Sequence, residues 1–229
     1  MISYPFIKIL SLPGREIIMA DPRTERNALL GATLVKKLQA RAFDAYYCAT
    51  KEEALKQALA LIPETDVISW GGSATIAEIG LLEYVRKNFN CIDRDTAKTP
   101  EERMEIMRKA LLCDTFLMST NALTTEGELV NIDGNGNRCA AMIYGPKQVI
   151  VIAGLNKVTG NLHSAIDRAH TTAAAINIQR FGAKTPCALT GVCARCNFAD
   201  TICNYIVVTR RSKPVHKIKV ILVGEDVGF

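Results

Sequence analysis

Four cysteines within residues 187–203 stand at the spacing C-x5-C-x2-C-x6-C. They are Cys187, Cys193, Cys196 and Cys203. Soft thiolates bind zinc or iron-sulfur clusters, and a C-x2-C pair lets one local turn supply two ligands to the same centre. Zinc ribbons usually carry two such pairs, so one pair flanked by two single cysteines favours a [4Fe-4S] cluster, with zinc as the alternative. Four reduced cysteines or a disulfide pair remain the interpretation without a metal.

The segment around these cysteines, residues 183–204, lacks helical or strand periodicity, so we expect a bound metal centre to organise it. Lys184 and Arg195 lie among the ligands and could offset the negative charge of four thiolates. The other four cysteines fall singly in apolar segments and are predicted to be small buried side chains. The three histidines have no partner at ligand spacing, so none is assigned to a site.

A glycine turn is the second candidate site. Residues 70–75, Trp-Gly-Gly-Ser-Ala-Thr, join a predicted buried strand to a helix. Backbone amides and the hydroxyls of Ser73 and Thr75 can converge there on a phosphate or carboxylate. We therefore predict ligand contacts from Gly71, Gly72, Ser73 and Thr75. The alternative is a tight turn in which glycine only permits positive φ.

Polar residues also follow two other predicted strands, where a parallel sheet places its pocket. Asn121 and Asn156 are predicted to bind the ligand. Glu126 is a candidate nucleophile or base and Lys157 a candidate anion clamp, and these two are the predicted catalytic residues. The alternative for Glu126 is a solvated acid in a loop.

The elements that position these groups alternate between strand and helix. Helices are predicted after caps at Asp21, Thr50, Thr99 and Asn161, and one more runs through Ile79, Leu82 and Val85. The predicted strands cover residues 43–49, 67–70, 91–92, 115–119 and 149–153. This alternation predicts an α/β fold with a mostly parallel sheet covered by helices.

Two regions depart from the alternation. Residues 128–132 and 139–144 read as an inserted hairpin joined by a polar turn, in which Arg138 and its neighbours are expected to be exposed. Residues 205–209 and 216–223 read as a final antiparallel pair of strands.

Composition limits the function. At 229 residues and 48% hydrophobic, the chain is long enough for one domain with a full core, predicted over residues 21–229. The net charge of +5 is spread along the sequence, which argues against nucleic-acid binding. No apolar run approaches the roughly 20 residues of a membrane span.

Residues 1–20 read as an N-terminal extension. Lys8 and Pro13 interrupt its apolar run and no small-residue cleavage site follows, so a secretory signal is not expected. Met19 is an alternative natural start. Since a core of this size needs no disulfides, we expect a reducing, cytoplasmic location.

Residues 70–80 resemble the glycine-rich turn of the lactate-utilisation (LUD) domain family. Residues 119–131, 154–158 and 223–226 are also similar to that family, and together these motifs span most of residues 21–229. The four-cysteine loop is similar to one branch of the family only.

The resemblance implies a three-layer α/β/α fold related to sugar-phosphate isomerases and coenzyme A transferases. It also implies a small carboxylate or phosphorylated ligand, and iron-sulfur redox partner proteins in bacterial lactate oxidation. Two functions follow from it. One is a redox subunit whose cluster passes electrons; the other is a transferase or isomerase that uses Glu126 and carries a structural metal.

Overall fold

The computed structural model describes residues 21–229. The predicted extension, residues 1–20, lies outside the described residues. The strands are β1 (Asp44–Cys48), β2 (Val67–Trp70), β3 (Asn90–Cys91), β4 (Thr115–Met118), β5 (Ala122–Thr124), β6 (Leu129–Asp133), β7 (Gln148–Gly154), β8 (Val158–Thr159), β9 (Tyr205–Thr209) and β10 (Ile218–Val223). The helices are α1 (Pro22–Ala40), α2 (Lys51–Ala60), α3 (Ala74–Glu78), α4 (Leu81–Asn88), α5 (Pro100–Lys109), α6 (Asn137–Ile143), α7 (Leu162–Arg168), α8 (Ala175–Asn177) and α9 (Pro186–Thr190).

The main sheet has six strands in the order β1-β10-β7-β4-β2-β3, and every neighbouring pair is parallel. Successive side chains of β7 point to opposite faces of the sheet and pack in two different hydrophobic cores. Val149 and Val151 pack with α1 and α6 on one face, whereas Ile150 and Ile152 pack with α2, α3 and α4 on the other. The predicted three-layer α/β arrangement with a mostly parallel sheet is therefore confirmed.

The predicted helix starts are confirmed by their capping contacts. Side chains of Asp21, Thr50, Thr99 and Asn161 each accept a hydrogen bond from a backbone N–H in the first turn. Such contacts satisfy amides that have no partner inside the helix. The helix predicted through residues 79–85 is instead two helices, α3 and α4. Gly80 separates them because its φ of 78° is left-handed.

A second, smaller sheet has the order β8-β5-β6-β9. Strand β5 pairs antiparallel with β6, and β6 pairs antiparallel with β9. One side of this sheet packs on α7, where Ala122, Val130 and Ala165 are buried. The other side adds Leu123 and Leu129 to the core beneath the main sheet.

The predicted hairpin is wrong in its second half. Residues 139–144 fall mainly in helix α6, which begins after Gly136 in a left-handed conformation. Cys139 and Met142 are buried at helical spacing, and Asp133 Oδ2 accepts a hydrogen bond from Cys139 N at 3.1 Å. A six-residue apolar run fits either helix or strand, and the tertiary contacts select the helix.

The predicted pairing of the last two strands is also wrong. Strand β10 lies between β1 and β7 in the main sheet, parallel to both, whereas β9 joins the edge of the second sheet. Five of the six residues of β10 are buried, as a central parallel strand requires. Within residues 21–229, no helix is long and apolar enough to span a membrane.

Candidate functional site

The glycine turn between β2 and α3 opens onto a cavity of about 600 Å³. Turns that follow β2, β4 and β7 meet there, because the carboxyl ends of neighbouring parallel strands lie at one edge of the sheet. Five of the predicted site residues line the cavity: Gly72, Ser73, Thr75, Asn121 and Lys157.

Lys157 places a buried amino group at this cavity, with 2% of the residue surface exposed. Its Nζ donates hydrogen bonds to Thr75 Oγ1 at 2.7 Å and to Ser119 Oγ at 3.0 Å. Burial, followed by the positive charge of Arg168, lowers the pKa of Lys157 to about 7. Near neutral pH this amine therefore exists in both protonation states, which suits either anion binding or proton transfer.

Two residues predicted to bind the ligand, Asn156 and Gly71, do not line the cavity and instead contact residues beside it. Asn156 Nδ2 donates to Gly228 O at 3.1 Å, and Asn156 Oδ1 accepts from Val227 N at 3.4 Å, so this side chain fixes residues 227–228 beside the turn. A Cβ on Gly71 would lie 2.8 Å from Arg138 Cδ. Gly71 is therefore the place where Arg138 crosses the turn.

Arg138 is part of this wall, so its predicted exposure is wrong. Its Nη2 donates to Asn121 Oδ1 at 3.0 Å and to Ile132 O at 2.5 Å. Its Nη1 donates to Ser119 O at 3.1 Å and to Asn131 Oδ1. Arg138 thus links β6 to the turn after β4. Both of its Nη groups already donate to protein acceptors.

Arg94 also lines the cavity, and the sequence analysis did not identify it. It begins a short 3₁₀ turn, and 18% of its side chain is exposed. Its Nε is buried without a hydrogen-bond partner, and the ion-pair contact to Asp95 is long, at 3.9 Å. Burial, followed by the charge of Arg103, lowers the pKa of Arg94. Nothing in the polar sequence around Arg94 distinguishes it from an exposed loop.

Glu126 lies outside the cavity, although the sequence analysis grouped it with the polar residues that follow strands at the pocket. Its carboxylate is 2.9 Å from Lys37 Nζ, and 58% of its side chain is exposed. Strand β5 belongs to the second sheet and leads the chain away from the cavity towards the end of α1. The rule that relates strand ends to pockets therefore does not apply to Glu126.

The four loop cysteines line a second cavity of about 110 Å³. All four are free thiols. Burial raises the pKa of Cys203, a hydrogen bond with Thr201 partly opposes this, and the nearby Cys193, Cys187 and Cys196 add to the rise. Within residues 21–229, no three Cys, His, Asp or Glu side chains stand as a ready-made metal site. The four thiols line the same cavity, but their sulfur atoms do not converge as the ligands of one metal ion would.

His170 lines the same cavity, although the sequence analysis assigned no histidine to a site. It lies in a π-helical turn, Ala169–Ala174, that follows α7. Such turns are rare and frequently mark functional sites. Burial, followed by the charge of Arg195, lowers the pKa of His170.

The two cavities share a wall. Ala174, Thr201 and Ile202 each line both of them. The segment that carries the cysteines therefore also bounds the larger cavity, and the two candidate sites are neighbours.

The LUD domain family model matches residues 32–223, which is most of the chain. The chain belongs to the LUD domain family. A similar solved structure is a DUF162 family protein from Deinococcus radiodurans, with 13% identity and a TM-score of 0.50, covering 86% of this chain and 98% of that chain. This likeness supports the shared α/β fold.

Another solved chain, eIF2B delta from Chaetomium thermophilum, has 14% identity and a TM-score of 0.33, covering 64% of this LUD domain protein and 70% of that chain. That score is too low to support an argument about fold. No curated protein matches the chain.

Proposed function

We propose that this LUD domain protein is an iron-sulfur redox subunit that binds a small carboxylate, lactate or a related acid, in carboxylate utilisation. Cys187, Cys193, Cys196 and Cys203 would hold a [4Fe-4S] cluster. The observation that carries the proposal is the wall shared by the cysteine cavity and the larger cationic cavity.

The cysteine cavity has room for a cluster. Its volume is about 110 Å³, whereas a single water molecule needs roughly 10–15 Å³. The space beside the cysteines therefore accommodates a group of several atoms, and the preference for a cluster over zinc rests on the spacing of the cysteines. When bound, a [4Fe-4S] cluster would supply one-electron transfer.

The charges around the cysteines suit the same group. Arg195 lines the cysteine cavity, and its guanidinium also contacts Asp167. A positive group beside four thiolates lowers the cost of their negative charge. Because the thiols must be reduced to bind metal, the proposal includes a reducing location such as the cytoplasm.

Exposed apolar side chains of the cysteine loop support the proposed contact with an iron-sulfur redox partner. Leu189, Val192 and Phe198 lie within the loop, and each has more than half of its surface exposed. Weak redox encounters use small surfaces of this kind. A partner that docks there would stand next to the cluster.

The larger cavity supports an anionic ligand. Lys157, Arg94 and Arg103 all line it. The alternative transferase or isomerase function was assigned to Glu126, and Glu126 lies outside this cavity. We therefore favour the redox subunit.

Anaerobic purification tests the cluster. We expect about four irons per chain and a ferredoxin-like visible absorbance. Cys193→Ser and Cys196→Ser should lose iron, whereas Cys139→Ser, a buried cysteine in α6, should retain it. Stoichiometric zinc without iron would overturn the cluster, and unchanged metal in serine variants of all four loop cysteines would reject the site.

A second experiment tests the redox role. The cluster-loaded protein is mixed with L-lactate and the products of the neighbouring genes, and cluster reduction is followed by absorbance. Reduction should require both lactate and the four cysteines. Lactate-dependent electron transfer that persists after the cluster is removed would contradict the proposal.

A further inference from the structure

Arg94 stands out among the cations of the larger cavity because its charge has little compensation. Its Nε is buried without a hydrogen-bond partner, and among residues 21–229 its only ion-pair contact within 4 Å is the 3.9 Å approach to Asp95, with a further attraction from the more distant Asp133. Asp95 is already bound by Arg86 at 2.9 Å and by Arg103 at 3.1 Å. The terminal Nη groups of Arg94 make no hydrogen bond to residues 21–229, and an anion in the cavity that accepts from them would stabilise this poorly compensated charge.

The neighbouring arginines are committed to the protein. Arg138 donates to four protein acceptors. Arg103 donates to Arg94 O and to Asp95, both at 3.1 Å. Among these three arginines of the described cavity wall, Arg94 therefore has the most free donors.

Gly72 leaves Arg94 room at the turn. A Cβ on Gly72 would lie 2.5 Å from Arg94 Nη2. The end of the guanidinium group consequently lies against the bare backbone of the glycine turn, at the wall of the cavity. The planar donor fork of a guanidinium group matches the paired oxygens of a carboxylate or phosphate.

We infer that Arg94 binds the anionic group, carboxylate or phosphate, of a ligand whose remaining part extends along the glycine turn towards Lys157. This inference specifies the ligand of the pocket in the proposed function. Gly72 beside Arg94 and Thr75 beside Lys157 are three residues apart, so at most about 10 Å separates them along the chain. A cavity of about 600 Å³ falls in the range of whole small-molecule sites. The ligand is therefore an organic anion with a second polar group.

The first experiment measures binding of inorganic phosphate and of L-lactate to the metal-loaded protein by calorimetry. Arg94→Gln should weaken binding of the preferred anion by about tenfold or more, the loss expected for a charge-assisted contact. Arg94→Lys should recover part of it, since the charge returns without the fork. Whichever probe depends on Arg94 identifies the group as phosphate or carboxylate.

Arg180→Gln is the matched control. Arg180 is exposed, its charge lies close enough to lower the pKa of Arg94, and its own hydrogen bond is to Asn177. Its loss should change the affinity less than twofold at physiological salt. Equal weakening by both variants would mean a diffuse field and would overturn the inference, as would the absence of binding by both anions.

A second probe tests the extension towards Lys157. 3-Phosphoglycerate carries a phosphate at one end and a hydroxyl and a carboxylate at the other. It should bind more tightly than inorganic phosphate or lactate, and Lys157→Met should remove that advantage. Equal binding of the three probes would contradict the extended ligand. Iron content separates this inference from the proposed function, because Arg94→Gln should retain the iron of the wild type.

Discussion

Lys157 Nζ donates a 2.7 Å hydrogen bond to Thr75 Oγ1, which joins the turn after β7 to the turn after β2. Ser119, after β4, accepts from the same ammonium group at 3.0 Å. The sheet order places β4 between β7 and β2, so three adjacent strand ends meet at one buried amine. The position of Lys157 is thus a direct consequence of the parallel sheet.

Replacement of Lys157 by methionine should flatten the pH dependence of stability. Burial lowers the pKa of Lys157 to about 7, whereas the unfolded chain keeps it near 10.4. Between these values the unfolded state binds more protons, so the free energy of unfolding rises with pH. The contribution is at most about 1.4 kcal/mol per pH unit. The destabilisation caused by the buried charge is fully present below pH 7 and is lost above the unfolded pKa, so the slope disappears outside this window.

Urea unfolding of wild type and Lys157→Met across this window measures the difference in slope. Lys36→Met, at an exposed position of α1, serves as the lysine control and should follow the wild type. Parallel curves for the wild type and Lys157→Met would show that Lys157 is not perturbed.

The two glycines of the turn should respond differently to alanine. A Cβ on Gly72 meets the free end of Arg94, which can swing aside, so Gly72→Ala should keep its stability and lose affinity for the anion. A Cβ on Gly71 meets Arg138, whose guanidinium group is held by four acceptors. Gly71→Ala should therefore lose about 1–3 kcal/mol of stability through overpacking.

Unfolding curves and phosphate titrations of the two variants test this contrast. A loss of stability in Gly72→Ala as large as in Gly71→Ala would mean that Arg94 is fixed in place. Retention of wild-type anion affinity in Gly72→Ala would mean that the anion does not bind over this glycine.

Much of the main sheet follows from local sequence signals. Caps such as Thr50 and Asn161 mark helix starts, and apolar runs such as residues 149–153 mark buried strands. The alternation of these signals predicts parallel pairing, and Lys157 falls at a strand end for the same reason. Local periodicity does not say which strand neighbours which, so β10 was paired wrongly with β9.

The wall of the cavity depends on contacts between segments distant in sequence. Arg138 reaches Ser119 and Asn121 only because α6 folds back over β6. Arg94 meets Gly72 through a short turn without periodicity. Glu126 follows a strand, but that strand belongs to the second sheet. In each case the tertiary arrangement, which the local pattern does not encode, decides whether a polar side chain faces the cavity.

Alkylation should divide the cysteines into two classes. Burial raises the pKa of Cys48 and Cys139 to about 11 and of Cys113 to about 12, and the thiolate is the reactive form. In metal-free folded protein, iodoacetamide should therefore spare these three and modify the loop cysteines, with Cys203 the slowest of the four because burial also raises its pKa. Mass spectrometry after digestion measures the pattern, and unfolded protein should react at all eight positions.

Metal loading provides the comparison. Bound thiolates should be protected, so the loop cysteines should become unreactive while the other cysteines stay as they were. Loop cysteines that react equally in metal-loaded and metal-free protein would argue against their role as ligands.

Glu126→Gln should leave both ligand binding and iron content unchanged. The carboxylate of Glu126 is exposed and pairs with the exposed Lys37, and such surface pairs contribute little to stability. The contact from Arg41 Nε is to the backbone carbonyl of Glu126, so it persists in the variant. The test is to titrate Glu126→Gln with phosphate and lactate in parallel with Arg94→Gln, and to record a urea unfolding curve of Glu126→Gln. A tenfold loss of affinity in Glu126→Gln would place this residue in the site and would restore the transferase function as the better explanation.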